Sequence, residues 1–407
     1  MQHPKKTPKN LKEDPSHQFS LYIHWPYCLK RCPYCDFNAH IAQSPKNSDD
    51  MADALIRELT NYRQKEIFLD YFDKKTIKTI FFGGGTPSLM PPSLIEKLLQ
   101  TAEQIYGFAS DIEITMEANP SSLEGGEHLK NFRTAGINRL SMGVQSLQDE
   151  SLQKLGRIHD SKTAIKIIET LPKIFSRWSC DLIYSRPNQT IKQWLNELQL
   201  ALSFRPHHLS LYQLTIERGT EYHRMVKQKN LTMPDDDLSA DMFIATRNTM
   251  AQHHLPPYEI SNYAYEGHES RHNLHYWHYG DWLGIGAGAE GRLTHHKNTQ
   301  QGREYVKYAT KNFRLPKKWA KSVHKNNIGL ESLSTIDKKN AMIEKMMMGL
   351  RLTKGIELLP EHLPKNFTIH WQNLVDNKLA MPATQHHYCL SESGLLRLNS
   401  VIAYLIS

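Results

Sequence analysis

Short runs rich in β-branched and aromatic residues alternate with longer amphipathic stretches from residue 20 to residue 213, and this alternation restricts the fold more than any single residue does. The predicted strands lie near 20–24, 78–82, 112–116, 138–144, 179–184 and 208–213. The predicted helices lie near 51–66, 93–105, 147–156, 160–173 and 190–203. Ser93, with Glu96 three residues on and Pro91 and Pro92 before it, has the pattern of a capping box. Six β-then-α units in series predict parallel strands joined by crossover helices. That is an α/β protein, either a partial TIM-type barrel or a doubly wound sheet, and spacing alone does not separate the two.

The 407 residues suffice for one large domain and a smaller one. No apolar run reaches the length of a membrane span. The lysine- and proline-rich first 18 residues have no apolar stretch behind them, which predicts a flexible tail rather than a secretory signal, and a cytoplasmic protein. After about residue 300 the alternation stops. Residues 301–329 are expected to form a basic linker, and 330–407 a small α-rich C-terminal domain, with a helix over 336–353, Gly355 near its end, and another from Ser391 onward. The charge is uneven: residues 303–325 carry eight Lys or Arg against Glu304 alone. Such a run is ordinarily a solvated face. Its functional reading is a landing site for an anionic partner: a carboxylate-bearing ligand, an acidic protein or a membrane surface. No nucleic-acid recognition motif accompanies it.

Three of the five cysteines, Cys28, Cys32 and Cys35, fall within eight residues; Cys180 and Cys389 stand apart. A disulfide framework is spread out and paired, so a tight, odd-numbered group reads as a metal site. A structural zinc takes four protein ligands, and His24 or His40 is near enough in sequence to complete such a set. A 4Fe–4S cube held by three cysteines keeps one iron open for a small chelating molecule. Lys30 and Arg31 within the loop favour thiolates and an anionic cluster.

The residues that stand out elsewhere sit at the carboxyl ends of the predicted strands, the edge where barrels and open α/β sheets bind ligands. The cysteines follow the first strand, Gly83-Gly84-Gly85-Thr86-Pro87 the second, Glu117 the third and Gln145 the fourth, while Asp181 lies in the fifth. Taken singly, a glycine triplet is a tight turn and a lone carboxylate is solvated; their order is what converges on one site. The Cys-x3-Cys-x2-Cys spacing resembles that of the radical S-adenosylmethionine (SAM) superfamily. The resemblance implies a partial (β/α)6 barrel of that type, a 4Fe–4S cluster on Cys28, Cys32 and Cys35, and SAM chelated at the open iron. It also implies SAM contacts from Tyr22, from Gly84, Gly85 and Thr86 of the Gly-Gly-Thr-Pro element, from Glu117 in Glu-Ala-Asn-Pro, and from Gln145, Arg157 and Asp181. No residue is assigned a catalytic role.

Within the superfamily, Tyr22-Ile-His-Trp-Pro-Tyr-Cys28 and the cysteines after it are similar to the oxygen-independent coproporphyrinogen III oxidase family. True oxidases of that family carry a fourth cysteine two residues after the third, where this chain has Phe37, and a longer N-terminal segment. Both departures resemble the family's heme chaperone branch, which implies heme as a ligand and a heme-acceptor protein as a partner; porphyrinogen decarboxylation is the alternative. The segment His272-Asn273-Leu274-His275-Tyr276-Trp277 resembles a motif of that branch associated with heme, which makes His272, His275, Tyr276 and Trp277 heme candidates. In a chain with 22 histidines the bland reading of that segment is structural. One further departure is Ser185-Arg186-Pro187, where the family has Gly-Leu-Pro. It predicts either altered loop geometry or a charge added at the cofactor edge.

Overall fold

The computed structural model describes residues 18–41, 45–65, 68, 71–72, 75–123, 126–299 and 302–407. The expected flexible tail therefore lies, but for residue 18, outside the described residues. Each of the six predicted strands forms: β1 Gln18–Trp25, β2 Thr76–Gly84, β3 Phe108–Ala118, β4 Arg139–Gln145, β5 Arg177–Tyr184 and β6 His208–Gln213. They pair in parallel in the order in which they occur. A doubly wound sheet reverses strand order at a switch point; this succession does not, and the architecture is the partial barrel.

The strands alternate in chemistry, and the alternation sets the two faces. Leu21, Ile80, Ile114, Leu140, Leu182 and Leu211 are buried in one apolar cluster with helices such as α1 (Pro45–Tyr62), α2 (Pro92–Tyr106) and α3 (Gly126–Thr134). Ser20, Thr79, Glu113, Arg139, Ser179 and Ser210 share the other face and bond to one another, as in Thr79 Oγ1 to Ser20 Oγ at 2.7 Å and Arg139 Nη2 to Ser179 Oγ at 3.3 Å. Helices α1 to α3 thus cover the convex side, and these polar residues line the concave one.

Further strands extend both edges. β7 (Asn262–Ala264) adds antiparallel to β6. β8 (Trp282–Ile285) adds parallel to β1, and β9 (Glu290–Thr299), β10 (Gly302–Asn312) and β11 (Leu330–Ile336) continue antiparallel beyond it. This corrects the basic linker: residues 302–312 are a sheet strand and 316–326 a helix, α10 (Pro316–Asn326). The lysines hid both elements. Lys307 is turned inward onto Asp281 at 3.5 Å, while α10 buries Trp319, Ala320 and Val323 and leaves its lysines outside. The region read as α-rich likewise opens with a strand of the main sheet. Its later helices, α11 (Lys338–Gly349), α12 (Phe367–Asp376), α13 (Glu392–Leu396) and α14 (Leu398–Ile406), gather a second apolar cluster around Met346, Trp371 and Leu405.

The capping box expected at Ser93 does not form. Helix α2 starts at Pro92, whose fixed φ suits a first helical position, and no side chain caps it. A capping box does occur at Thr190 and Gln193, at the start of α6 (Ile191–Ser203). No described helix is long and apolar enough to cross a membrane.

Candidate functional site

At the carboxyl ends of the parallel strands lies a cavity of about 340 Å³, within the range that takes a small molecule. Cys28, Cys32 and Cys35 line it together with Gly84, Gly85, Thr86, Glu117, Gln145, Arg157 and Asp181. The structure so brings together the three candidate cluster ligands and all of the candidate SAM contacts except Tyr22. That ring lies behind the wall: a Cβ on Gly83 would meet its Cε2 at 2.8 Å, and its hydroxyl donates to His24 Nδ1 at 2.9 Å.

The cysteine loop leaves β1 and is held from several sides. The Cys35 amide donates to the Cys32 carbonyl at 3.1 Å, and Arg31 Nη2 to the Cys35 carbonyl at 3.2 Å. Asn38 Nδ2 donates to the carbonyls of Ala287 and Arg314, both at 2.9 Å, which ties the loop to the turn after β8 and to the start of α10. Burial, and then the neighbouring thiols, push the Cys28 thiol up to about 11, with Arg31 opposing. His24 is not available to complete a zinc set. Its Nε2 donates to the Asn38 carbonyl at 3.1 Å and its Nδ1 accepts from Tyr22, so both ring nitrogens are committed. His40 Nε2 lies 3.2 Å from Asn38 Oδ1, and three thiols bordering an open cavity suit a cluster with one iron left to a small molecule.

The glycines of the second loop are required by close approach. Gly84 has φ +116, and a Cβ there would meet the Trp25 carbonyl oxygen at 2.7 Å; at Gly85 it would meet the Tyr27 carbonyl oxygen at 2.6 Å. The Gly85 and Thr86 amides donate to those two carbonyls at 2.7 and 2.8 Å, so this loop is bound to the backbone that leads into Cys28. Gly84 N also donates to Glu117 Oε2 at 3.3 Å.

Glu117 and Asp181 face the cavity as a pair. Burial, then the Asp181 charge, raises the Glu117 carboxyl to about 8, with the Gly84 amide opposing. Burial raises Asp181 to about 6 against hydrogen bonds from Ser210 and Ser141 and the charges of Arg139 and Arg157. Two buried carboxyls whose ionisation is suppressed by burial favour a cationic or hydroxyl-bearing guest. Arg157 lies near Asp181, whose charge it stabilises: its Nη2 donates to the Gly143 carbonyl at 2.6 Å and Nη1 lies 3.6 Å from Cys32 Sγ, while its Nε is buried with no partner. A guanidinium with an unmatched donor suits a carboxylate guest. A ligand bearing both charges, as SAM does, matches this set of side chains.

Two non-glycine residues beside the cavity have positive φ; at Ser185 this is the altered loop geometry that the departure from Gly-Leu-Pro predicts, whereas nothing in sequence marks it at Gln145. Gln145 has φ +70 at a bulge between Gly143 and Gln145 where β4 leaves register with β5. Ser185 has φ +57 and is held by its hydroxyl, 2.7 Å from that of Ser239. The expectation of added charge at the cofactor edge is corrected here. Arg186 is 5% exposed and turns away from the cavity onto Glu197 of α6. The sequence reading also left out Tyr34, Ile183, Tyr212 and Leu214, which line the same cavity and carry no motif of their own.

The heme candidates are elsewhere. His272, His275, Tyr276 and Trp277 form α9 (Arg271–Trp277), which closes the concave face at the other end of the strands: Arg271 Nη1 donates to Asp111 Oδ2 at 2.8 Å and the His272 amide to Glu113 Oε1 at 3.1 Å. The His272 ring is 2% exposed, stacked on Phe81, with Nδ1 2.8 Å from Thr79 Oγ1 and Nε2 without a partner. His275 Nε2 donates to the Asp281 carbonyl at 2.6 Å. Tyr276 packs against His272 and Trp282, and Arg351 lies over Trp277.

Comparison with known proteins agrees with this geometry. The Radical SAM superfamily description matches residues 22–201. The heme chaperone HemW of Haemophilus influenzae is 41% identical over 277 residues, 68% of this chain and 70% of that protein. The mitochondrial radical S-adenosyl methionine domain-containing protein 1 of Danio rerio is 37% identical over 345 residues, 84% of this chain and 75% of that protein. The solved structure of coproporphyrinogen III oxidase HemN of Escherichia coli, described as a radical SAM enzyme, matches with a TM-score of 0.78 over 97% of this chain and 92% of that one, at 19% identity, a likeness of fold. With a concave cavity built as described and relatives of this identity over most of their length, the chain belongs to the radical SAM superfamily, among the relatives of HemW and the mitochondrial radical SAM domain-containing protein 1.

Proposed function

We propose that this protein holds a 4Fe–4S cluster on Cys28, Cys32 and Cys35, binds SAM in the adjoining cavity, and takes up heme for delivery to an acceptor protein. The observation that carries the choice of function is Phe37. It stands where oxidases of the family have a fourth cysteine, and it lines the same cavity while 60% exposed. The relatives named heme chaperone point the same way. When bound, cluster and SAM supply reductive cleavage of SAM. This chain's part is to hold and orient: Arg157 toward the carboxylate, Glu117 and Asp181 toward the amino and ribose groups, the Gly84-Gly85-Thr86 backbone along the methionyl part, with Tyr22 supporting that loop from behind.

The α9 motif supplies the proposed heme contact. His272 Nε2 is without a partner and is the ring nitrogen an iron can take once α9 moves off the barrel; His275 Nε2 is committed to Asp281. Tyr276 and Trp277 then offer aromatic faces to the macrocycle. The acceptor, or an anionic membrane surface, would meet the exposed lysines of α10, Lys317, Lys318, Lys321 and Lys325.

The test is paired. Anaerobically reconstituted protein is titrated with heme, and separately incubated with coproporphyrinogen, SAM and a reductant. Heme uptake without decarboxylated product is expected. Efficient turnover would establish the oxidase reading instead. The His272→Ala variant is expected to lose heme and His275→Ala to keep it; unchanged uptake by a folded His272→Ala protein removes that ligand.

A further inference from the structure

Arg186 and Glu197 form a buried ion pair that no cofactor contact explains. Arg186 is 5% and Glu197 1% exposed. The guanidinium meets both carboxylate oxygens, Nη1 to Oε1 at 3.3 Å and Nη2 to Oε2 more closely. The pair does not end there. Glu197 Oε1 also accepts from the Ser146 hydroxyl at 2.5 Å and from the Leu147 amide at 2.6 Å. Those two residues directly follow Gln145, which lines the cavity in the left-handed region at the β4 bulge. One carboxylate on α6 therefore grips the chain one residue past a strained cavity residue, and Arg186, from the turn after β5, holds that carboxylate in place.

We infer that the Arg186–Glu197 pair is a positioning device for Gln145: it fixes the turn after β4 so that the Gln145 side chain is presented to the ligand in the cavity. The inference rests on the reading of that cavity as the SAM site. A residue in the left-handed region persists only where its surroundings over-determine it, and here the anchor is the pair of hydrogen bonds that Ser146 and Leu147 donate to Glu197. The pair spans from β5 through α6 to β4, so two neighbouring strand ends are registered to each other across the cavity rim. Arg186 acts through Glu197 and touches no ligand.

The test is a thermodynamic cycle on the full-length, anaerobically reconstituted protein. Arg186→Leu with Glu197→Leu takes away both charges together. It also leaves the buried Ser146 hydroxyl and Leu147 amide without an acceptor, so the melting temperature is expected to fall by a few degrees while the cluster iron content stays near that of the wild type. SAM affinity is expected to fall about tenfold. Gln145→Ala alone is expected to lose a similar factor, and the triple variant no more than that. A double variant with wild-type SAM affinity overturns the inference, and so does a triple variant whose loss is the product of the two, because the pair then acts independently of Gln145. If the double variant does not fold, Ser146→Ala, which removes one of the two anchoring hydrogen bonds and leaves the ion pair in place, enters the same cycle. A wild-type protein that takes up no SAM overturns the cofactor reading itself, an outcome distinct from normal uptake with an unaltered variant.

Discussion

Gly84 shows how much of the candidate site is decided by single residues. Its φ of +116 lies where side chains are rarely found, and the atom nearest an added Cβ is a backbone oxygen, that of Trp25, which no rotamer change can move aside. Gly84→Ala is expected to destabilise the protein by roughly 2–5 kcal/mol, an overpacking cost added to a left-handed backbone penalty. Because the crowded strand leads straight into the cysteine loop, iron content after reconstitution should fall with the melting temperature. A variant with wild-type stability and iron content would show that the loop has room the geometry denies. The motif residues were legible because each is chemically unusual for its place: three thiols, a glycine triplet, carboxylates at strand ends. Gln145 was found through its motif, but its backbone strain was not, since a glutamine carries no signal for positive φ. Arg186 was legible only as a departure. Its direction depends on Glu197, eleven residues on in the next helix, and sequence does not show a partner.

Among the elements, α1 carries a carboxylate that four others meet. Glu58 is fully buried and accepts from Gly286 N at 2.8 Å, Gly329 N at 2.7 Å, Trp319 Nε1 at 3.1 Å and Asn312 Nδ2 at 3.1 Å. It joins α1 to the turn after β8, to the end of β10, to α10 and to the approach to β11. Burial raises its carboxyl to about 7 against those hydrogen bonds. The folded protein thus keeps a proton that the unfolded chain releases near 4.5, and stability contributed by this group falls as pH rises from about 4.5 to about 7. The slope approaches about 1.4 kcal/mol per pH unit within that window and vanishes outside it. In Glu58→Gln the slope should be absent, and the amide should face two donors with one of its own, at a further cost of about 1–3 kcal/mol. Urea midpoints of wild type and variant at pH 5, 6, 7 and 8 give the difference directly; parallel curves would refute the assignment. This junction was not legible. The six parallel strands were, because polar and apolar residues alternate cleanly along them. What separates the partial barrel from a doubly wound sheet is the unreversed strand order, which the spacing of the elements does not reveal. The sheet's extension through β10 was obscured by lysine, which is uncommon in strands; here Lys311 is exposed and Lys307 lies against Asp281.

Besides a small cluster of Ile183, Leu214 and Tyr222, the described residues form two large apolar clusters, one behind the parallel sheet and one among α11 to α14. The contacts between these regions are mostly polar. Glu344 of α11 accepts from the Tyr279 hydroxyl at 2.5 Å and from Arg292 Nε and Nη2, both at 3.0 Å. Arg247 of the helix Asp236–Gln252 donates to Glu392 at 2.6 Å, Thr353 Oγ1 donates to the Pro257 carbonyl at 2.9 Å, and Arg351 lies over Trp277. A polar seam between two apolar cores transmits unfolding less cooperatively than a continuous core. Calorimetry is therefore expected to resolve two transitions, the smaller C-terminal cluster melting first. Glu344→Ala leaves Arg292 and Tyr279 without their shared acceptor. It should lower the first transition by a few degrees, for a loss of about 1–3 kcal/mol, and leave the second in place. The seam also touches the proposed heme helix, since Trp277 of α9 lies under Arg351, so a C-terminal region that loosens first is the means by which α9 could leave the barrel. The same variant then links the two: if heme reaches His272 by displacement of α9, Glu344→Ala should take up heme faster than the wild type at equal final occupancy. A single calorimetric transition, with heme uptake unchanged in rate, would mean that the two clusters act as one body and that α9 is not released in this way.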